Sequence, residues 1–142
     1  MESKKIAIIT DGTAPIQEFA ENIAAIIGDY QGCSATVINA ESFSGTDLLP
    51  AYAFFLGCEK PMPFSFSYVE DFFKHINLAG RACGIFSSNA KAIEYLSLLV
   101  SDSETTVGKP FLTQGGVEDS NTLRIWIQEI FNKGDKNGLF QS

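Results

Sequence analysis

A turn rich in threonine and glycine follows the first apolar run of the chain. The run is Ile6-Ala7-Ile8-Ile9, the turn is Thr10-Asp11-Gly12-Thr13-Ala14, and Pro15 opens a segment with helical spacing. A buried strand that leads into a helix N-terminus presents unpaired N–H groups and the positive end of the helix dipole, which together attract an anion. The residue types therefore predict an anion site, suited to phosphate, at this turn.

Asp11 conflicts with that site because it places a carboxylate where the anion is expected. Two like charges about 4 Å apart repel by about 1 kcal/mol in water and about 4 kcal/mol at an effective dielectric of 20. Amide hydrogen bonds to a charged acceptor contribute about 1.5–3 kcal/mol each. We expect binding to persist if Asp11 faces solvent and to fail if it turns inward. The alternative is a tight turn in which the Thr13 hydroxyl caps the first helix.

Two later segments carry further side chains suited to ligand binding. Residues 58–68 begin at Cys58, are stiffened by Pro61, and offer Phe64 and Phe66 as apolar surfaces for a planar ligand. These phenylalanines equally suit packing into the core or against a partner. Ser87-Ser88-Asn89 can form hydrogen bonds to the edge of a ring or cap the helix that follows. Both interpretations stay open for each segment.

The composition limits the class of protein. The chain has 142 residues, 45% of them hydrophobic, which fits a single domain over residues 1–142, with a polar tail at 133–142 that we expect to be poorly ordered. The net charge of −7 argues against a nucleic-acid-binding protein, since binding phosphates needs clustered lysine and arginine. Such acidity suits solubility and can also steer docking onto a basic protein partner.

The cysteines and the N-terminus predict a cytoplasmic location. Cys33, Cys58 and Cys83 are odd in number and fit no zinc-binding spacing, so we expect free thiols in a reducing compartment. His75 is the single histidine, which leaves a metal site without ligands. No signal-peptide pattern opens the chain, and no apolar run approaches the ~20 residues that cross a bilayer.

Strand-like and helical runs alternate along the chain, as in an α/β protein with a doubly wound parallel sheet covered by helices on both faces. The predicted strands are residues 6–9, 35–38, 51–56, 82–86 and 110–113, and the predicted helices include one that begins with a capping box of Ser67 and Glu70. Five strands suit the three-layer arrangement with strand order 2-1-3-4-5. Ligands in such sheets bind where the order reverses, beside the loops after strands one, three and four.

At these loops the sequence resembles the flavodoxins, from Lys5 to about Phe131. The matching segments are Lys5-Ile6-Ala7-Ile8-Ile9 with its threonine and glycine turn, Phe55-Leu56-Gly57-Cys58 with Pro61, and the run from Leu78 to Phe86. The resemblance implies a flavodoxin-like fold, non-covalent FMN at the three loops, single-electron transfer and a redox partner protein rather than a substrate of its own. The family's first loop usually carries three hydroxyl residues. Here Thr13 occupies one of these positions, Asp11 and Ile16 replace the other two, and Thr10 would contribute if the loop were shifted by one residue.

The departure at the first loop leaves two functions open. One is an FMN-binding electron carrier. The other is a degenerate flavodoxin-like domain that has lost flavin and serves as a protein-binding or regulatory module. A receiver domain of the response-regulator type is disfavoured, because Asp11 lacks an acidic neighbour and Leu56-Gly57-Cys58 ends the third strand without an aspartate. The sequence does not determine the oligomeric state.

Overall fold

The apolar runs of the sequence form one parallel sheet flanked by helices. A computed structural model describes residues 4–113 and 119–134. The strands are β1 (Lys4–Thr10), β2 (Cys33–Asn39), β3 (Ala53–Gly57), β4 (Ala82–Ser87), β5 (Thr106–Val107) and β6 (Phe111–Leu112). The helices are α1 (Ala14–Ile27), α2 (Gly45–Leu48), α3 (Ser67–Lys74), α4 (Ala90–Val100) and α5 (Ser120–Gly134).

The strand order is β2-β1-β3-β4-β5, which confirms the predicted order 2-1-3-4-5. Two short strands share the edge of the sheet beside β4. β5 (Thr106–Val107) pairs with Ala82 and Cys83, and β6 (Phe111–Leu112) pairs with Phe86 and Ser87. The sequence predicted a single fifth strand at 110–113 and did not predict β5. Pro110 has no N–H to donate to a neighbouring strand, which is consistent with an interrupted edge.

The central strand β3 separates two hydrophobic cores, because its successive side chains point to opposite faces of the sheet. Phe55 lies in the core formed with α1 and α5, where its ring centroid is 5.4 Å from that of Trp126. Phe54 lies in the core formed with α3 and α4, where its ring centroid is 5.5 Å from that of Phe73. All five residues of β3 are buried, as predicted for a strand that is apolar on both faces.

Glycine at position 57 lets an aromatic ring approach the end of β3. A Cβ atom added to Gly57 would lie 2.3 Å from the ring of Phe86 on β4. The Phe86 ring in turn stacks on Phe19 of α1, at 4.9 Å between centroids. The carboxyl end of the central strands is therefore tightly packed beneath the loops that follow them.

The capping box predicted at Ser67 does not form. A 3-10 turn at Phe64–Phe66 runs directly into α3, so Ser67 already has helical backbone angles and its hydroxyl donates to the carbonyl of Phe64 at 2.8 Å. A serine inside a helical turn commonly bonds back to a preceding carbonyl in this way. Helix α3 ends at Lys74, so Ile76 lies beyond the helix face on which the sequence placed it.

The chain ends, as far as it is described, in α5. That helix includes Lys133 and Gly134, and the remainder of the predicted tail, 135–142, lies outside the described residues. Among the helices of residues 4–113 and 119–134, none has the length and apolarity needed to cross a bilayer.

Candidate functional site

Two hydrogen bonds join the three loops at the carboxyl ends of β1, β3 and β4. The backbone N–H of Glu59, after β3, donates to the Asp11 carboxylate after β1 at 2.8 Å. The Ser87 hydroxyl at the end of β4 donates to the carbonyl of Cys58 at 2.6 Å. The topology therefore brings together the three segments in which the sequence predicted ligand-binding residues.

Asp11 turns inward, toward the backbone that was expected to bind an anion. Its Oδ1 atom accepts the N–H of Thr13 at 3.1 Å and the Thr13 hydroxyl at 2.7 Å, while its Oδ2 atom accepts the N–H of Glu59. The bonds between Asp11 and Thr13 form a local turn closed by an aspartate side chain. Thr13 precedes α1 at the N-cap position, but its hydroxyl donates to Asp11 and makes no capping bond to the helix, so the predicted capping by that hydroxyl is wrong.

Other polar groups of the first loop bond within the loop or to α1. Thr10 is fully buried, and its hydroxyl donates to the side-chain oxygen of Gln17 at 3.0 Å and accepts the N–H of Gly12 at 3.2 Å. Gly12 has a φ of 81°, a conformation that favours glycine. At the start of α1, Pro15 has no N–H, and the N–H groups of Ala14 and Ile16 have no acceptor within the helix. Of the amides expected to face an anion, those of Gly12 and Thr13 are therefore engaged, and that of Ala14 is left together with the helix amide of Ile16.

Burial and charge keep the Cys58 thiol protonated. Cys58 has no exposed surface, and its burial, followed by the nearby Asp11 carboxylate, raises the pKa of the thiol to about 12. Reactive cysteines need the opposite environment, because the thiolate is the nucleophile. Cys58 therefore acts as a small apolar side chain, and its carbonyl, which accepts from Ser87, fixes the start of the loop.

The two phenylalanines of the loop after β3 have opposite environments. Phe66 is fully buried and lies edge-on to Tyr95, at 6.4 Å between ring centroids, so it offers no face to a ligand. The interpretation of Phe66 as a ligand platform is therefore corrected. Phe64 is 92% exposed, and Pro61 is also exposed. Met62, which lies between them, has a φ of 53°, a left-handed backbone conformation that is uncommon for residues other than glycine.

The polar segment after β4 serves the local backbone. Ser87 is fully buried, and its hydroxyl also accepts the N–H of Asn89 at 3.0 Å. The Asn89 side chain accepts the N–H of Lys91 at 2.9 Å and so caps α4. Of the two interpretations left open by the sequence, helix capping is the one that these contacts support for Asn89, while Ser88 remains exposed.

A cleft that the sequence did not single out opens beside Phe64. It has a volume of about 180 Å³ and is lined by Glu41, Phe64, Ser65, Ser67 and Tyr68. Tyr68 is 70% exposed on α3, and Glu41 is exposed on the 3-10 turn Ala40–Ser42 that follows β2. Glu41 is 23 residues before Phe64 in the numbering of the chain, so no local pattern relates the two residues.

The first loop does not fit a phosphate ester in this arrangement. The carboxylate of Asp11 already accepts the donors of Thr13 and Glu59, and its negative charge repels a second anion at the same place. Its position corresponds to the inward orientation for which the sequence predicted loss of FMN binding.

Comparisons with known proteins identify the architecture. No protein-family model and no curated protein sequence matches the chain. Among solved structures, a short-chain flavodoxin associated with a non-canonical PDU bacterial microcompartment has a TM-score of 0.80 at 10% identity, covering 95% of this chain and 100% of its own. The Streptococcus pneumonia TIGR4 flavodoxin has a TM-score of 0.78 at 15% identity, covering 92% and 99%. Oxidised Flavodoxin 2 from Bacillus cereus has a TM-score of 0.68 at 18% identity, covering 91% and 99%. With its strand order, these likenesses show that the chain has the flavodoxin-like fold.

Proposed function

We propose that this chain is a degenerate flavodoxin-like domain that works without bound flavin, as a protein-binding or regulatory module. The observation that carries the proposal is the inward carboxylate of Asp11, which accepts three hydrogen bonds from Thr13 and Glu59. The carboxylate takes the place of an external anion at the start of α1.

The energetic comparison favours the internal carboxylate over a phosphate. Hydrogen bonds to a charged acceptor contribute about 1.5–3 kcal/mol each, and an incoming phosphate must break those that Asp11 accepts. If Asp11 stays in place, the repulsion is about 1–4 kcal/mol for each pair of unit charges about 4 Å apart. The dipole of α1 would stabilise a bound anion by only about 0.3–1 kcal/mol at an exposed helix end. A phosphate therefore either displaces the bonds that Asp11 accepts from Thr13 and Glu59 or meets the charge of Asp11, and the amides of Ala14 and Ile16 have to offset whichever of these two alternative costs applies.

The second candidate is the FMN-binding electron carrier. It is favoured by the likeness in fold to flavodoxins over nearly the whole chain, and by the exposed ring of Phe64 in the loop after β3. In that function the flavin would supply the redox chemistry, while the protein would position it against a redox partner. The Asp11 side chain would have to leave the amide of Thr13 before a phosphate could bind there.

A flavin titration separates the two functions. The purified full chain is examined for absorbance in the flavin bands and then titrated into FMN, with riboflavin as the matched control that lacks the phosphate. We expect a colourless protein that leaves the fluorescence of both compounds unchanged. Quenching of FMN but not of riboflavin would refute the flavin-free module and support the electron carrier. Equal quenching of both would show ring binding without a phosphate site, which would also contradict the proposal.

A further inference from the structure

The cleft beside Phe64 has a fixed frame. The Asn39 side chain accepts the N–H of Glu41 at 2.9 Å and so caps the 3-10 turn Ala40–Ser42. Behind that turn, Phe43 lies edge-on to Phe72 of α3, at 5.3 Å between ring centroids. The turn that carries Glu41 is therefore held against α3 by the packing of the buried Phe43 ring on the partly buried Phe72 ring. The lining residues are positioned by the fold rather than by a loose loop.

Two aromatic rings stand in water at this cleft. Phe64 is 92% exposed and Tyr68 is 70% exposed. A phenylalanine ring forms no favourable hydrogen bonds with water, so its exposure is not stabilising. Neighbouring exposed aromatic groups are characteristic of sites that bind a partner. The cleft volume of about 180 Å³ lies below the roughly 300–1,000 Å³ of pockets for small molecules and cofactors. Its size suits a single side chain.

The carboxylate of Glu41 gives the cleft a negative charge, which favours a positively charged ligand. Glu41 lines the cleft and is exposed. Among the described residues, Arg124 forms an ion pair with Asp29, and Glu41 forms none. The chain as a whole carries a net charge of −7, which attracts a basic partner over a longer range. A carboxylate that lines the same cleft as two exposed aromatic rings suits a guanidinium group, since that group stacks on rings and forms two parallel hydrogen bonds to a carboxylate.

We propose that the cleft formed by Glu41, Phe64 and Tyr68 receives an arginine side chain from a basic segment of a partner protein. A second groove, with a volume of about 260 Å³, lies between α3 and α4 and is lined by Met62, two residues before Phe64. Its lining includes the exposed Leu98, the Glu70 carboxylate, which accepts the Tyr95 hydroxyl, and the opposite charges of Lys74 and Asp102, so it offers apolar surface for residues that flank the arginine. The inference rests on the proposed role as a protein-binding module.

The test compares two probes of the same shape and different charge. N-acetyl-arginine amide and its neutral isostere N-acetyl-citrulline amide are titrated into the 15N-labelled full chain, and amide chemical shifts are followed. We expect saturable shifts at Ser65, Ser67 and Tyr68 with the arginine probe and none with citrulline. Equal shifts with both probes, or arginine shifts only elsewhere on the surface, would overturn the proposal.

Variants identify the contacts. Glu41→Gln and Phe64→Ala should each weaken binding of the arginine probe by roughly twofold to fivefold, which is the effect expected of one exposed charge or ring contact. The controls are Glu18→Gln and Ile125→Ala, an exposed charge on α1 and a 61% exposed side chain on α5. The spectra of the variants also report whether each remains folded. Unchanged affinity in both cleft variants would contradict the proposed contacts.

Two further outcomes bear on the occupant of the cleft. Shifts at Ser65 and Tyr68 that depend on protein concentration without any probe would assign the surface to a second copy of the chain and overturn the arginine proposal. FMN binding in the separate titration would refute the flavin-free module, whereas a selective response to arginine would still support the cleft. The failure of one proposal is therefore distinguishable from the failure of the other.

Discussion

Replacing Asp11 by serine should convert the first loop into a better phosphate site. The substitution removes the carboxylate that accepts from Thr13 and Glu59 and restores a hydroxyl at one of the positions where flavodoxins usually carry one. Relief of a repulsion of about 1–4 kcal/mol corresponds to an FMN affinity about fivefold to several hundredfold higher than in the unsubstituted chain. The gain must be specific to FMN, because riboflavin has no phosphate.

The same substitution should lower the free energy of unfolding. The hydrogen bond from the Glu59 amide to Asp11 links residues 48 positions apart, and a serine side chain is too short to replace both carboxylate oxygens. Losing one hydrogen bond to a charged acceptor costs about 1.5–3 kcal/mol. Urea unfolding of Asp11→Ser without ligand should show this loss, and FMN should restore part of it through binding to the folded state.

The assay is a fluorescence titration of FMN and riboflavin with the unsubstituted chain, with Asp11→Ser and with a variant that controls for charge. Asp102→Ser makes the same change in net charge at an exposed position after α4, at the opposite end of the sheet from the first loop. We expect tighter FMN binding in Asp11→Ser alone. An equal gain in Asp102→Ser would assign the effect to net charge, and no gain in Asp11→Ser would refute the view that this carboxylate closes a phosphate site.

Three further predictions concern stability. Phe66→Ala should lower the free energy of unfolding in urea by about 3–5 kcal/mol because the ring is fully buried, whereas Phe64→Ala should change it by less than about 0.5 kcal/mol; similar losses would contradict the assigned environments. Gly57→Ala should cost about 1–3 kcal/mol in the same measurement, since the new methyl group would lie 2.3 Å from the Phe86 ring, and an unaffected midpoint would refute this. The Cys58 thiol has a pKa of about 12 in the folded protein and a reference value of 9.0. Between these values the unfolded chain binds fewer protons than the folded one. The contribution of this thiol to the free energy of unfolding is therefore fully present below pH 9 and should be lost as the pH rises through this window. Urea unfolding from pH 8 to 11 should show a shallower decline in Cys58→Ala, and identical slopes would exclude this thiol as the cause.

The fold could be predicted from the sequence because its main elements have strong periodic patterns. The apolar runs of β1, β3 and β4 and the helical spacing of α1 and α5 are long enough to distinguish a strand from a helix. The misses are short or local. β5 has only two residues, Thr106–Val107, with no pattern to reveal it. The capping box at Ser67 failed because a 3-10 turn precedes α3, and such a turn depends on packing that a four-residue motif does not report.

The location of the candidate site was predictable, but the orientation of its side chains was not. Topology places the three loops together, since ligands in such sheets bind where the strand order reverses. The hydrogen bonds from Thr13 to Asp11 are local, yet the bond from Glu59 comes from another strand and depends on the register of the sheet. Phe64 and Phe66 are the same residue type in the same loop, so the sequence alone does not distinguish their environments. They differ because the 3-10 turn directs residues two positions apart to different sides.

The contacts of Asp11 connect the two proposals. The carboxylate that closes the first loop also accepts from Glu59, and Ser87 fixes the carbonyl of Cys58 one residue earlier, so the loop that leads to Phe64 is anchored at its start from both neighbouring strands. A surface that is already ordered loses less conformational entropy on binding than a mobile one. If both proposals hold, an internal carboxylate in place of a phosphate would support partner binding, because it would keep the loop ordered without a cofactor and leave the Phe64 ring exposed.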